Sequence, residues 1–267
     1  MTNNGERSVS AVIAGDARWC VVGGDSLDAL RALPDGCVDA IVSDPPYAST
    51  GDAASVMKSR DGASAVPREV QFYEAWAREH LREWVRVLKP AGAAWFTCDW
   101  RGAMAFDLAA HKLRIKSPVV GVWDRGGLGM GHILRKTWEA FVVVPMLGFE
   151  RKAADVPDLW RVEWTVAQRG HEHAAEKPEA LFRKAVRLVS DPDAVILDPF
   201  AGSGTTGPAA LAEGRRVILV EREPRFAEIA RQRCEHATPD LGVPVRVTAK
   251  PAPAVDPRQL GLFDDDP

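Results

Sequence analysis

Apolar residues along the chain fall into short, nearly uninterrupted runs, separated by longer stretches of helical periodicity. Seven runs read as strands: Arg18–Val22, Val38–Ser43, Ala93–Thr97, Val119–Trp123, Trp138–Val144, Val195–Asp198 and Val217–Glu221. Several are apolar at almost every position, as expected where helices cover both faces of a sheet. Between the runs the period lengthens. Residues 72–88 place Trp76, Leu81, Trp84, Val85 and Leu88 at helical spacing, and Lys177–Val189 does the same with Leu181, Ala185, Leu188 and Val189. Ser26 is placed to cap a short helix running to Leu33. The alternation predicts an α/β fold with a mostly parallel, seven-stranded sheet and helices on both faces.

Two stretches break the pattern. Residues 48–70 are small, polar and rich in Gly, Ser and Ala, and predict a long loop of the kind that is functional or disordered. From Pro251 the chain is proline-rich and ends in Asp264, Asp265 and Asp266, which predicts an unstructured tail. The chain therefore reads as one domain over 1–250 and a flexible acidic tail over 251–267.

Composition narrows the class without naming it. With 267 residues, 46% hydrophobic and 27% charged, the chain is neither disordered nor fibrous and can bury a large core. The net charge of -3 excludes a uniformly basic nucleic-acid coat protein, but not an enzyme whose positive field is local. The three terminal aspartates carry that excess, whereas residues 111–152 hold eight basic side chains against three acidic ones. Cys20, Cys37, Cys98 and Cys234 form no CxxC pair, so reduced thiols are expected. His171 and His173 lack a third ligand at metal spacing, so no metal is expected. The N-terminus has no signal-like apolar run, and the longest apolar stretch, near Phe141–Phe149, contains Pro145. A soluble, cytoplasmic protein without a membrane partner is the expectation.

Two motifs carry chemistry. In VILDPFAGSGTTG (195–207) a strand enters a glycine turn in which Gly202, Gly204 and Gly207 satisfy G-x-G-x-x-G, and Glu221 ends the next strand. That pattern suits a dinucleotide, or it is no more than a tight strand–helix turn. Asp198 before the glycines would repel a pyrophosphate but could meet an amino group. A ligand with an adenosine ribose and a charged amino acid satisfies both acids, and S-adenosyl-L-methionine is such a ligand. In VDAIVSDPPYAST (38–50), Asp44-Pro45-Pro46-Tyr47 closes an apolar strand. The prolines fix φ and remove donors, so a carboxylate, a carbonyl and an aromatic ring gather at the strand end. That set suits the exocyclic amine of a base swung out of its duplex, unless it is an ordinary Pro-Pro turn.

The order of these motifs resembles that of the amino-methylating DNA methyltransferases, in their permuted β group. Gly24-Asp25 comes first and Asp44–Tyr47 follows. A helix ending in a Lys-Pro-Gly-type turn at Lys89-Pro90-Ala91-Gly92 comes next, then His173, Lys177 and Pro178, then the DPFAGSGTT segment, with Glu221 last. The catalytic motif lies 154 residues before the glycine motif, the reverse of the usual order in this fold. The resemblance covers roughly residues 18–236. It implies a Rossmann-like S-adenosylmethionine-dependent fold and methyl transfer to adenine N6 in double-stranded DNA, by base flipping and direct displacement. Cytosine N4 is the alternative, and a nicotinamide oxidoreductase a more distant one.

By that resemblance, Asp44, Pro45, Pro46 and Tyr47 are the catalytic set, with Asp44 and the Pro45 carbonyl holding the amine and Tyr47 stacking on the base. Asp198, Pro199, Phe200, Ala201, Gly202, Ser203, Gly204, Thr205 and Thr206 would line the methionine side of the cofactor. Glu221 would hold the ribose, Asp25 the adenine edge, and Lys177 would belong to the wall over the cofactor. The recognition region expected between residue 144 and His173 is short, so base readout is expected to be shared among insertions at about 48–70, 101–137 and 147–170. Trp100 and Trp123 lie near strand ends and are candidates for base contact. A homodimer is implied only by analogy. In the tail, Gln259, Leu260, Leu262 and Phe263 resemble a short peptide that docks on a sliding clamp.

Overall fold

The computed structural model describes residues 7–48, 70–129, 133–153, 156–164 and 176–237. Along the chain these form α1 (Val9–Ala14), β1 (Trp19–Gly23), α2 (Ser26–Ala32), β2 (Val38–Ser43), α3 (Val70–Val87), β3 (Leu88–Cys98), α4 (Trp100–Lys112) and β4 (Val119–Asp124). There follow β5 (Trp138–Pro145), β6 (Leu159–Arg161), α5 (Glu179–Val189), β7 (Val195–Asp198), α6 (Thr206–Ala212), β8 (Arg216–Glu221) and α7 (Pro224–Ala237). The strands make one sheet in the order β1-β8-β7-β2-β3-β5-β4-β6. β5 runs against both of its neighbours and every other pairing is parallel.

All seven expected strands are present, and an eighth is added. β6 is three residues, Leu-Trp-Arg, too short to carry a period, and it pairs with β4 at the sheet edge. Two apolar layers sandwich the sheet. Leu30, Leu81, Trp84 and Phe106 of α2–α4 pack on one face, and Leu181, Val186, Ala209 and Ala230 of α5–α7 on the other. Strand residues alternate between the layers, with Ile41 and Phe96 in the first and Val42 and Trp95 in the second. Each large side chain buried in this way contributes roughly 1.5–3 kcal/mol.

Two expectations need correction in detail. The cap of α2 is Asp25, not Ser26: its carboxylate accepts the Leu27 and Asp28 N–H groups. Lys89–Gly92 is not a free turn. α3 runs directly into β3, and the ladder to β2 shifts between Val38↔Leu88 and Ala40↔Ala93. At Gly92 a Cβ would lie 2.6 Å from the Asp39 carbonyl oxygen, so only glycine permits this approach of the strands.

Candidate active site

The two motifs, far apart in sequence, meet because β2 and β7 are neighbours, paired through Ala40↔Ile196 and Ile41↔Leu197. From their carboxyl ends the chain departs in opposite directions, through α3 to β3 and through α6 to β8. A crevice opens where such crossovers diverge. A cavity of about 490 Å³ occupies it. The candidate catalytic and cofactor-binding residues line this cavity with the exception of Gly204, and Gly207 of the glycine motif also lies outside it.

Asp198 joins the two halves. Its Oδ1 accepts the Ser43 hydroxyl at 2.6 Å and the Phe200 N–H at 3.0 Å, and its Oδ2 accepts the Thr206 hydroxyl. Ser43 immediately precedes Asp44, so this carboxylate bonds one strand end to the other. It is 2% exposed. Burial, against the help of those three bonds, raises its pKa from 3.8 to about 6. Such a group gains from a cation placed beside it.

The glycine turn is held by the next strand. Glu221 Oε2 accepts the Gly202 N–H at 2.7 Å and its Oε1 the Glu223 N–H at 2.8 Å. Gly202 has a φ of 52°. Gly204 and Gly207 let α7 pack closely. A Cβ on Gly204, whose φ is 85°, would lie 2.6 Å from the Ala230 Cβ, and one on Gly207 would lie 2.4 Å from the Cys234 sulfur. The glycine motif thus combines one residue at the cavity with two that let α7 approach. On the far wall, Trp76, His80 and Phe200 form an aromatic surface, with ring centroids 4.1 Å apart for Trp76–His80 and 5.6 Å for Trp76–Phe200. His80 bonds Ser26 Oγ at 3.1 Å and the Trp76 carbonyl at 2.9 Å, and burial lowers its pKa.

The other half of the cavity is built on charge. Asp44 Oδ1 accepts the Thr97 hydroxyl, and Oδ2 accepts from the Lys177 ammonium at 2.7 Å. Tyr47 donates to Glu139 Oε2 at 2.5 Å, while Glu139 Oε1 takes Arg125 at 3.1 Å. Burial, with the Asp44 and Glu139 charges, pushes the Tyr47 pKa well up. Burial pulls the Lys177 pKa down, but Asp44 and Glu139 outweigh it and the net shift is upward. Lys177 therefore faces the Asp44 side of the cavity, and its ammonium is turned to that carboxylate. The Pro46 carbonyl accepts the Tyr73 hydroxyl at 2.7 Å.

A DNA methylase family, N6_N4_Mtase, matches the chain over residues 38–136 and 135–232. The chain belongs to this family. DNA adenine methyltransferase YhdJ of Escherichia coli (strain K12) is 28% identical to this methylase over 259 residues, covering 84% of this chain and 85% of that one. Type II methyltransferase M.HinfI of Haemophilus influenzae is 25% identical over 248 residues, covering 82% and 69%. Among solved structures, the PvuII DNA methyltransferase (cytosine-N4-specific) superposes with a TM-score of 0.63 at 17% identity, covering 81% of this chain and 86% of that one. TTHA0409 from Thermus thermophilus, solved with S-adenosyl-L-methionine, gives 0.60 at 23% identity, covering 84% and 97%.

Several residues of this methylase's site were not singled out by pattern: Ser43, Thr97, Glu139, Trp76 and His80. Glu139 left a trace, as a lone acid near the start of the apolar run 138–144. Trp123 is fully buried and donates to the Val162 carbonyl, whereas Trp100 is 48% exposed with the Arg101 guanidinium over its ring. Of segment 101–137, α4 and β4 belong to the scaffold: Phe106 and Ala109 are core. The basic stretch 111–152 is also divided. Strand directions put Arg125, Arg135 and Lys136 at the carboxyl edge beside the cavity, and Arg114, Lys116 and Lys152 at the opposite edge. Residues 49–69, His171, His173 and the tail with Gln259–Phe263 lie outside the described residues. Among the described residues no helix is long and apolar enough to cross a membrane.

Proposed function

We propose that this protein transfers a methyl group from S-adenosyl-L-methionine to the N6 amine of adenine in double-stranded DNA. The observation that carries the reading is the Ser43–Asp198 bond, which unites the Asp44–Tyr47 corner and the glycine turn in one cavity. A volume of about 490 Å³ suits a small-molecule ligand with part of a second one.

The lining fits this cofactor better than a dinucleotide. Asp25, Asp44, Glu176, Asp198 and Glu221 face the cavity against Lys177 and Arg222. Such a wall repels a pyrophosphate and favours a ligand that is cationic at its sulfonium and amino groups. Asp198 would take the amino group, Glu221 the ribose hydroxyls, and Trp76, His80 and Phe200 an aromatic face of the ligand. Gly202, Thr205 and their neighbours would follow the methionine chain. Asp25 has committed Oδ1 to capping α2, which leaves Oδ2 for the adenine edge. The bound cofactor supplies an electrophilic methyl.

An exocyclic amine is a poor nucleophile because its lone pair is shared with the ring. Asp44 and the Pro45 carbonyl would accept its two N–H bonds, favour a pyramidal nitrogen and aim its lone pair. The Pro46 carbonyl already serves Tyr73, so Pro45 is the residue whose carbonyl suits this role. Tyr47, anchored by Glu139, would present its ring to the flipped base. Adenine is supported over cytosine by the DPPY form and by the likeness to YhdJ, named a DNA adenine methyltransferase. Labelled methyl transfer from the cofactor to duplex DNA, followed by nucleoside chromatography, tests the reading. N6-methyladenine is expected. N4-methylcytosine would move the target to cytosine, and label only in RNA or protein would overturn the assignment.

A further inference from the structure

Lys177 stands where the proposed reaction needs an empty seat. Its ammonium donates to Asp44 Oδ2 at 2.7 Å and lies 4.8 Å from the centroid of the Tyr47 ring. Those are the two partners assigned above to the amine and the ring of the target base. A second seat is at hand, because Glu139 Oε2 is 3.7 Å from the same nitrogen. Lys177 and Glu139 side chains are only 12% and 15% exposed, so an unpaired ammonium here would be costly. We propose that Lys177 is a plug that mimics the target amine in the DNA-free protein and yields Asp44 to the incoming base by passing to Glu139.

The geometry makes the exchange economical. Charges alternate in one chain, Asp44, Lys177, Glu139 and Arg125, with contacts of 2.7, 3.7 and 3.1 Å. Closing the 3.7 Å gap by about 1 Å gives the ammonium a normal charge-assisted bond to Glu139 while the base amine takes over its bond to Asp44. Both carboxylates stay paired throughout, and Tyr47 keeps its bond to Glu139. Arg125 directly follows β4 at the carboxyl edge of the sheet, so the second seat is coupled to a basic edge of the cavity. The plug also bears on specificity. Only a base that presents an amine to Asp44 and a ring to Tyr47 replaces both contacts that Lys177 gives up.

The proposal rests on the methyltransferase reading, and the test separates the two. Methyl transfer to amplified, unmethylated duplex DNA of mixed sequence is measured at varied DNA for the wild type, Lys177→Met, Glu139→Gln and the double variant. Calorimetry with S-adenosylhomocysteine reports the cofactor site in each. Removing the plug raises the fraction of open sites, so Lys177→Met is expected to lower the KM for DNA about 3- to 10-fold. Its cofactor affinity is expected to stay within about twofold. Glu139→Gln keeps an acceptor for Tyr47 but weakens the second seat, so it is expected to raise the KM for DNA by a similar factor. In the Lys177→Met background that effect is expected to vanish. Lys177→Arg serves as the second variant, since its fork grips Asp44 more firmly and is expected to raise the KM. An unchanged or raised KM in Lys177→Met together with weakened cofactor binding would make Lys177 part of the cofactor wall and overturn the plug. A wild type that transfers no methyl to DNA would instead remove the underlying reading, and the plug with it.

Discussion

Replacing Asp198 by Asn tests whether this buried acid is kept for a cation at the expense of stability. Its pKa rises from 3.8 in the open chain to about 6 in the fold, chiefly through burial. Between those values the folded state holds a proton that the unfolded state releases, so this group makes stability fall as pH rises from about 4 to about 6. Above that the penalty is constant. A shift of roughly two pH units corresponds to about 3 kcal/mol at 1.36 kcal/mol per unit. The amide is nearly isosteric and uncharged. Its oxygen can accept from Ser43 and the Phe200 N–H, and its NH₂ can donate to the Thr206 oxygen, whose hydroxyl is free to turn. Asp198→Asn is therefore expected to be more stable than the wild type by about 1–3 kcal/mol above about pH 7, with the gap narrowing below about pH 6 and closing only below the open-chain value of 3.8. Urea unfolding across that range measures it. The same variant is expected to bind S-adenosylhomocysteine at least tenfold more weakly, because the ligand's ammonium loses its partner. A variant less stable than the wild type above about pH 7, or a difference that does not change with pH, would refute the reasoning.

Further outcomes follow from packing and charge. Gly207→Ala is expected to destabilise, because overpacking against Cys234 at 2.4 Å costs about 1–3 kcal/mol, more than the gain of about 1 kcal/mol in helix propensity. Cys234→Ala in the same chain is expected to restore most of the loss in a urea titration. Glu213 has its pKa lowered to about 2, first by its bonds to Arg187, against burial, and then by Arg183. Glu213→Gln is expected to cost about 1–2 kcal/mol near neutral pH, allowing for the exposure of Arg187. That deficit is present above about pH 4.5 and lost as the pH falls toward 2, which acid titration of both proteins will show. On the DNA side, Arg135→Ala with Lys136→Ala is expected to reduce the salt slope of DNA binding by about 1–2, whereas Arg114→Ala with Lys116→Ala leaves it unchanged. Fluorescence anisotropy across a salt series distinguishes the two edges.

Much of this site was legible because its strongest signals are local. A strand, a turn of prolines or glycines and an acid at the strand end are contiguous in Val38–Tyr47 and in Val195–Thr206. The apolar runs located seven strands for the same reason. What pattern could not supply was strand order. Ser43 matters because β7 lies beside β2, and Thr97 and Glu139 matter because β3 and β5 follow on the other side. None of these contacts has a sequence separation that pattern could anticipate. β6 escaped because three residues hold no period. Gly204 shows a physical limit of pattern: the same residue type answers a ligand's approach and a helix's approach, and its packing against α7 is visible only in the fold. The basic stretch 111–152 could not be apportioned by pattern either, since the chain crosses the sheet within it and separates charges that are close in sequence.

The central claim is that Asp44 activates a base amine for methyl transfer in DNA. Its most direct test is single-turnover transfer from labelled S-adenosyl-L-methionine to duplex DNA by the wild type and by Asp44→Ala, with the product identified at the nucleoside level and cofactor affinity measured in parallel. The account predicts N6-methyladenine from the wild type and a loss of at least about 10³-fold in Asp44→Ala, with cofactor affinity kept within about threefold. Transfer that survives the substitution, or label found on a ring carbon, would contradict it.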